Sequence, residues 1–284
     1  MTRPPYPYPF LASKPDYIGR VTLLGAPLDA TGSFRPGAAE GPAGIRWASE
    51  NLETYSPVLD RDLEELDFGD IGDLELSGES ISGALAQIEQ ATRSILDAGA
   101  IPCVLGGEHT IALAVARAVF ARHPNALILH FDAHADLRES YAGNTLCHAS
   151  WAYHVGTAYG FDRLVQLGIR SGLREEFEIG RRRSGYFSMG LDIPDIVRND
   201  LATHPVYLTL DIDVLDPACA PGTGTPEAGG MTYHELIACL YSLADLRVVA
   251  LDINEVAPPL DPTAATSAVA CKLVRELVLM FGSR

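Results

Sequence analysis

Short apolar runs at residues 21–26, 101–105, 126–131, 164–169, 205–210 and 247–252 alternate with stretches of helical spacing, and this alternation restricts the fold more than any other feature. Runs this apolar read as strands buried on both faces. Strands separated by helices imply an α/β class with a mainly parallel sheet covered on each side. A further strand is expected to begin at 65–68. Helices are predicted over 80–98, 111–122, 147–156, 232–243 and 266–281. In the first of these, Ile81, Leu85, Ile88 and Ile95 share a face behind Ser80, a residue suited to cap its start. The basic Arg181-Arg182-Arg183 reads as a solvated helix end. Ligands of such sheets bind beyond the carboxyl ends of the strands, so the residues that follow each run matter most for function.

Asp132-Ala133-His134-Ala135-Asp136 follows the run 126–131, and Asp211-Ile212-Asp213 follows 205–210. Side chains two apart on a strand share a face at roughly 6.5 Å spacing, so each string can lean toward one point. A third source is Gly106-Gly107-Glu108-His109-Thr110, where His109 would face the same cleft. Carboxylates mixed with imidazole, without thiolate, favour hard or borderline divalent ions such as manganese, and paired strings suggest two ions about 3.5–4 Å apart. If His109, Asp132, His134, Asp136, Asp211 and Asp213 are all ligands, four carboxylates balance two divalent ions. A hydroxide between the ions would then be the natural nucleophile at neutral pH. Each string alone has a plainer reading, as a helix cap, a loop tie or a structural histidine. Their conjunction at three strand ends is what points to metal.

With these strings in order, the chain resembles the ureohydrolase family, which includes arginases, agmatinases and formiminoglutamases, and in particular its agmatinase branch. The resemblance also runs through Thr31-Gly32-Ser33-Phe34-Arg35-Pro36-Gly37, Tyr55-Ser56-Pro57 with Asp60-Arg61-Asp62, and Gly168-Ile169-Arg170-Ser171-Gly172. It continues in Leu215-Asp216-Pro217, Pro221-Gly222-Thr223-Gly224-Thr225-Pro226-Glu227 and Asp252-Ile253-Asn254-Glu255-Val256-Ala257-Pro258. It implies a three-layer α/β/α, arginase-like fold and two Mn2+ per subunit. One ion would sit on His109, Asp132, Asp136 and Asp211, the other on Asp132, His134, Asp211 and Asp213. Glu255 aligns with the glutamate that binds the guanidinium, although an ordinary ion pair is the alternative. His148, in Asn144-Thr145-Leu146-Cys147-His148-Ala149-Ser150, matches the histidine that helps protonate the leaving amine, or else merely starts a helix. Asp136 would pass on the proton of the attacking hydroxide.

The implied reaction is hydrolysis of agmatine to putrescine and urea. The loop Leu137-Arg138-Glu139-Ser140-Tyr141-Ala142-Gly143 lacks the asparagine and serine series with which arginases hold an amino-acid head group, so arginine is disfavoured. Alternatives are N1-aminopropylagmatine, guanidinobutyrate or formiminoglutamate as substrate, a single-zinc deacetylase of the same fold, or a non-enzymatic relative. Glu108 and Thr110 depart from the commoner aspartate and serine and are expected to orient His109. His123, His130, His154, His204 and His234 match no motif position and read as structural or surface groups. The distal amine of agmatine could be accepted by Glu227, by a carbonyl of loop 138–147, or by a neighbouring subunit.

Composition adds bounds. At 284 residues and 47% hydrophobic content, the chain is expected to form a single domain, 1–284, with 1–18 as an extended N-terminal arm. A net charge of −16 argues against nucleic acid and suits a small cationic guanidino substrate. Cys103, Cys147, Cys219, Cys239 and Cys271 show no paired spacing and read as free thiols of a reducing, cytoplasmic setting. No run is long enough for a membrane helix. By resemblance the chain would form a homo-oligomer, a trimer or hexamer.

Overall fold

The computed structural model describes residues 8–282. Its centre is a nine-stranded sheet built from β1 (Lys14–Pro15), β2 (Val21–Ala26), β5 (Phe68–Asp73), β6 (Ile101–Gly106), β7 (Leu127–Phe131), β8 (Leu164–Leu167), β9 (Tyr186–Phe187), β10 (Val206–Asp211) and β11 (Val248–Asn254). The spatial order is β1-β5-β2-β6-β11-β10-β7-β8-β9, with every pairing parallel. A two-stranded hairpin, β3 (Tyr55–Ser56) and β4 (Arg61–Asp62), stands apart. Helices α1 (Gly41–Ser49), α2 (Ile81–Asp97), α3 (Ile111–Arg122), α4 (Trp151–Tyr159), α5 (Arg174–Arg183), α6 (Asp195–Thr203), α7 (Tyr233–Ser242) and α8 (Ala265–Gly282) complete the chain.

The two faces of the sheet can be read from the alternation of side chains. On β7, Leu127, Leu129 and Phe131 join one core with α7 and α8, while Ile128 joins a second core with α2, α3 and α4. β10 divides likewise, with Val206, Leu208 and Leu210 on the first side and Tyr207 on the second. The expected three-layer α/β/α arrangement is therefore present. Ser80 caps α2 as anticipated, its hydroxyl accepting from Gly83 N.

Some elements differ from the sequence reading. The second strand begins at Phe68, because Leu63–Glu65 forms a single tight turn capped by Asp62. The helix expected at 147 begins at Trp151, after a short 3-10 turn at His148–Ser150. Helices α1 and α6 were not anticipated. The α1 sequence, Gly-Pro-Ala-Gly-Ile-Arg-Trp-Ala-Ser, looks like a loop, but its proline falls in the first turn, where the missing N–H costs nothing. Gly41 lies so close to the chain after β11 that a Cβ there would come within 2.7 Å of the Val256 carbonyl. Of the expected arm, residues 1–7 lie outside the described residues, while Phe10 is buried against Phe68 and Lys14–Pro15 adds an edge strand to β5.

One buried ion pair anchors α1 to the sheet. Arg46 Nε and Nη2 donate to the two oxygens of Asp70, each at 2.8 Å, and Asp70 also accepts from Phe10 N at 2.9 Å. Arg46 Nη1 also pairs with the partly exposed Asp73, so removing Asp70 strips the buried guanidinium of two of its three carboxylate bonds. Asp70→Ala is therefore expected to lower the unfolding free energy by about 3–5 kcal/mol, read from urea denaturation monitored by circular dichroism. A change below about 1 kcal/mol would mean that the pair contributes little.

Candidate metal centre

The chain passes from β6 through α3 to β7 and leaves room between them for β11 and β10. The carboxyl ends of these central strands open into the crevice where a parallel sheet binds its ligands. β6 leads to His109, β7 to Asp132, His134 and Asp136, β10 to Asp211 and Asp213, and β11 to Glu255. All the sequence-predicted residues thus meet at one place. A cavity of about 170 Å3 there is lined by His109, His134, Asp136, Asp211, Glu255 and His148, with Asp132 and Asp213 buried beside them. The turn after β6 depends on Gly107, where a Cβ would collide with the Leu28 carbonyl.

His109 Nδ1 lies 3.0 Å from Asp132 Oδ2, 3.3 Å from Asp211 Oδ2 and 3.4 Å from Asp136 Oδ2. His134 Nδ1 lies 2.9 Å from Asp213 Oδ2 and 3.6 Å from Asp132 Oδ1. Donor atoms of His109, His130, Asp132 and Asp136 fall within 4.8 Å of one another, as do those of Asp132, His134 and Asp213, so Asp132 is shared. Asp211 reaches the first group through His109, while its Oδ1 accepts from Asp213 N at 2.8 Å. Buried His109 Nδ1 and Asp213 Oδ2 have only the close imidazole–carboxylate approaches just given and no other partner among the described residues, an arrangement that fits a cation between these groups.

The electrostatics agree. Burial pushes the His134 imidazole down, but Asp213 and Asp132 overcome it and raise it to about 12. His109 is likewise raised well above its usual range, its burial outweighed by Asp132, Asp136 and Asp211. Burial, with Asp213 and Asp132 close by, pushes Asp211 well above the usual carboxylate range. A buried cluster of this kind favours positive charge at its centre, and this donor set fits divalent cations. Asp136 and Glu255 also hold left-handed backbone, at φ 52° and 62°, a conformation that non-glycine residues adopt at a cost and mostly at functional sites.

Glu255 is fixed through Oε1, which accepts from His109 N at 2.7 Å. Burial pushes its carboxyl up to about 8, with Glu108 contributing, and no lysine or arginine among the described residues forms an ion pair with it. The ordinary ion-pair alternative is thereby disfavoured. His148 both starts its 3-10 turn and faces the cavity.

Glu108 and Thr110 do not orient the His109 ring, contrary to expectation. Glu108 instead accepts from Ala30 N at 2.7 Å, from Thr31 Oγ1 at 2.7 Å and from Thr110 Oγ1 at 2.7 Å. Because a carboxylate only accepts, the Thr31 hydrogen is committed to it, and the Thr31 oxygen faces His148 Nδ1 at 3.3 Å. Glu108 and Thr110 therefore set up His148 by way of the first loop. The His109 ring is held from another strand: its Nε2 donates to Thr209 Oγ1 at 2.9 Å, and Thr209 donates to Asp252 Oδ1 at 2.6 Å. That leaves Nδ1 its lone pair.

Several contributors escaped the sequence reading. Gln166, His130, Thr209 and Asp252 form one rung across β8, β7, β10 and β11, all on the face toward α3 and α4. Trp151 Nε1 donates to Asp136 Oδ2 at 2.8 Å. Glu176 accepts from Leu137 N at 3.0 Å, Leu173 N at 2.7 Å and Arg138 Nε at 3.1 Å, and so pins the start of the loop that follows the metal string. The available signal was a polar residue inside an otherwise apolar strand. His130, read as structural or surface, is fully buried and donates to the site. Glu227, a candidate for the distal amine, does not line the cavity; its carbonyl binds Arg170 Nη2 at 2.7 Å.

A sequence model of the arginase family matches residues 19–280. The agmatinase of Bacillus subtilis (strain 168) is 42% identical over 277 residues, covering 96% of each chain. The guanidinobutyrase of Pseudomonas aeruginosa is 33% identical over 269 residues, or 90% of this chain and 84% of that one. The crystal structure of the agmatine ureohydrolase of Thermoplasma volcanium superposes with a TM-score of 0.87 at 31% identity, covering 96% of this chain and 94% of that one. These matches span nearly all of the chain that builds this crevice, and the chain belongs to the arginase family of ureohydrolases, with its likeness on the agmatinase side.

Proposed function

We propose that this chain hydrolyses the guanidinium group of agmatine, releasing putrescine and urea. His109, Asp132, Asp136 and Asp211 would hold one Mn2+, and Asp132, His134, Asp211 and Asp213 the other. Bound there, divalent ions neutralise the aspartates and supply, at neutral pH, the strong nucleophile that a resonance-stabilised guanidinium carbon requires. The protein's own residues do the rest. Glu255 receives the guanidinium and presents its carbon to the metal donors, replacing a bimolecular encounter by a fixed geometry. Asp136, steadied by the Trp151 indole, accepts the proton released on attack and passes it to the departing amine. His148, as an imidazolium that donates to Thr31 through Nδ1, completes protonation of the leaving amine from Nε2 and regains its proton from solvent.

The observation that carries this reading is Glu255, a buried carboxylate with no lysine or arginine partner among the described residues, in the same cavity as His109, His134, Asp136 and Asp211. The likeness to the Bacillus subtilis agmatinase supports agmatine over other guanidino compounds. The five free cysteines support a reducing, cytoplasmic setting, and family likeness supports a homo-oligomer, trimer or hexamer. Among the described residues no helix is long and apolar enough to cross a membrane.

One observation favours a second reading. Arg138 lines the same cavity, anchored by Glu176 and set over the Tyr141 ring at 4.8 Å. A guanidinium at the mouth suits the carboxylate of a guanidino acid such as guanidinobutyrate. The manganese-loaded protein should be offered agmatine, N1-aminopropylagmatine, guanidinobutyrate and formiminoglutamate, with urea, amine and formamide measured. Agmatine is expected to lead in kcat/KM by on the order of 10²-fold, because the distal groups differ in charge and not merely in size. Guanidinobutyrate in the lead, with that advantage lost in Arg138→Ala, would establish the second reading. Turnover of none of them would end both.

A further inference from the structure

We propose that Gln166 and His130 are positioning residues for the metal centre: Gln166 locks the His130 imidazole as its Nε2–H tautomer, and that N–H holds Asp132 for metal binding. The inference rests on the reading of Asp132 as a ligand. Nothing in the motif strings points to either residue, and it is the sheet register that brings them together.

Gln166 Nε2 lies 2.9 Å from the Ala135 carbonyl and 3.0 Å from His130 Nδ1. A glutamine amide can be turned over, exchanging oxygen for nitrogen, but the Ala135 carbonyl only accepts, so the NH2 must face it. The second hydrogen of that NH2 then points at His130 Nδ1, which must accept. A neutral imidazole that accepts at Nδ1 carries its hydrogen on Nε2. His130 Nε2 lies 2.8 Å from Asp132 Oδ2. The chain is completed at its other end by Ser184, after α5, whose hydroxyl donates to Gln166 Oε1 at 3.3 Å.

This assignment separates two roles that composition alone confuses. His130 has a donor atom close to those of His109, Asp132 and Asp136, so by residue type it is a metal-ligand candidate. With its hydrogen on Nε2, the nitrogen that faces the site has no lone pair to offer a cation. It serves as a hydrogen-bond donor to a carboxylate. The rings of Trp151 and His109 pack against it, with centroids at 4.8 Å and 5.1 Å, and resist a ring flip. Gln166 also bonds on both sides of Asp132, at His130 and at Ala135, and so sets the course of the string that carries Asp132, His134 and Asp136. Gln166, His130 and Asp132 are all fully buried, where such a chain is not in competition with water.

The first test is the 15N–1H long-range spectrum of the histidines in the metal-free, full-length protein, assigned with His130→Phe. Expected for His130 is a protonated Nε2 and an unprotonated Nδ1; hydrogen on Nδ1, or on both nitrogens, would overturn the proposal. The second test titrates Mn2+ into wild type and Gln166→Leu and follows the free ion by electron paramagnetic resonance, alongside the metal-free melting temperature. Loss of the tether is expected to weaken Mn2+ binding on the order of 10–100-fold, as for other partners that orient a ligand. The metal-free melting temperature should fall by only a few degrees. Unchanged affinity would overturn the proposal, and a lower melting temperature with unchanged affinity would assign Gln166 to stability alone. Wild-type protein that binds no Mn2+ would instead defeat the metal-centre reading, while the nitrogen spectrum would still judge the His130 bond. Should Gln166→Leu not fold, the wild-type spectrum decides.

Discussion

Asp132→Asn is expected to lose bound manganese and to reduce urea release by about 10²–10⁴-fold, the equivalent of the roughly 3–5 kcal/mol for breaking a buried charge pair. Asp132 is the donor shared by both groups of ligand atoms. The substitution hardly changes size or shape, so the effect reports charge and hydrogen bonding. Asp132 Oδ1 accepts from His134 N at 2.6 Å and Oδ2 accepts from His130 Nε2 at 2.8 Å. An asparagine has one acceptor oxygen, so its NH2 must face one of those two N–H groups. Metal content by elemental analysis and urea release by colorimetry check the outcome together. Retention of two equivalents of manganese with full turnover would show that Asp132 is not a ligand. Chelation of the wild-type protein should mimic the variant and lower its melting temperature, because an ion that binds only the folded chain stabilises it by about 2.7 kcal/mol at a hundred times its dissociation constant.

Glu255→Gln is expected to keep its manganese and still lose about 10²–10³-fold in kcat/KM for agmatine. The Glu255 oxygen that accepts from His109 N can be reproduced by the glutamine carbonyl, so the local backbone should hold. The other end of the amide would then present an N–H to a guanidinium, a donor against a donor. The comparison with Asp132→Asn is the informative part: one variant loses metal and activity, the other activity alone. Full activity in Glu255→Gln would remove the guanidinium from this carboxylate and with it the main support for the proposed substrate.

The legible and the hidden parts of the site differ in kind. The strings after β6, β7 and β10 stood out because they combine metal-ligand residue types with the ends of apolar runs, a pattern within a few residues of chain. Glu255 needed the family resemblance, since one acid after a strand is unremarkable by itself. Glu108 adjoins His109 in the sequence, yet its bonds run to Ala30 and Thr31, 78 and 77 residues away, which no local pattern shows. Gln166 and Thr209 are hidden in the sequence as members of apolar strands, although a polar side chain in a strand buried on both faces must find a partner. Helix α1 was missed because glycine and proline lower local helix propensity, and here close packing against the chain after β11 outweighs it.

By itself the sequence determined the α/β alternation, the donor types and their place at strand ends, because each of these is a property of a short stretch of chain. Only the tertiary structure decided which nitrogen of each imidazole faces the site and which buried polar side chain holds it there. His109 is oriented by Thr209, 100 residues further along, and His130 by Gln166, 36 residues further along. The physical reason is that a parallel sheet places side by side strands that the chain visits far apart, and a hydrogen bond depends on that adjacency in space.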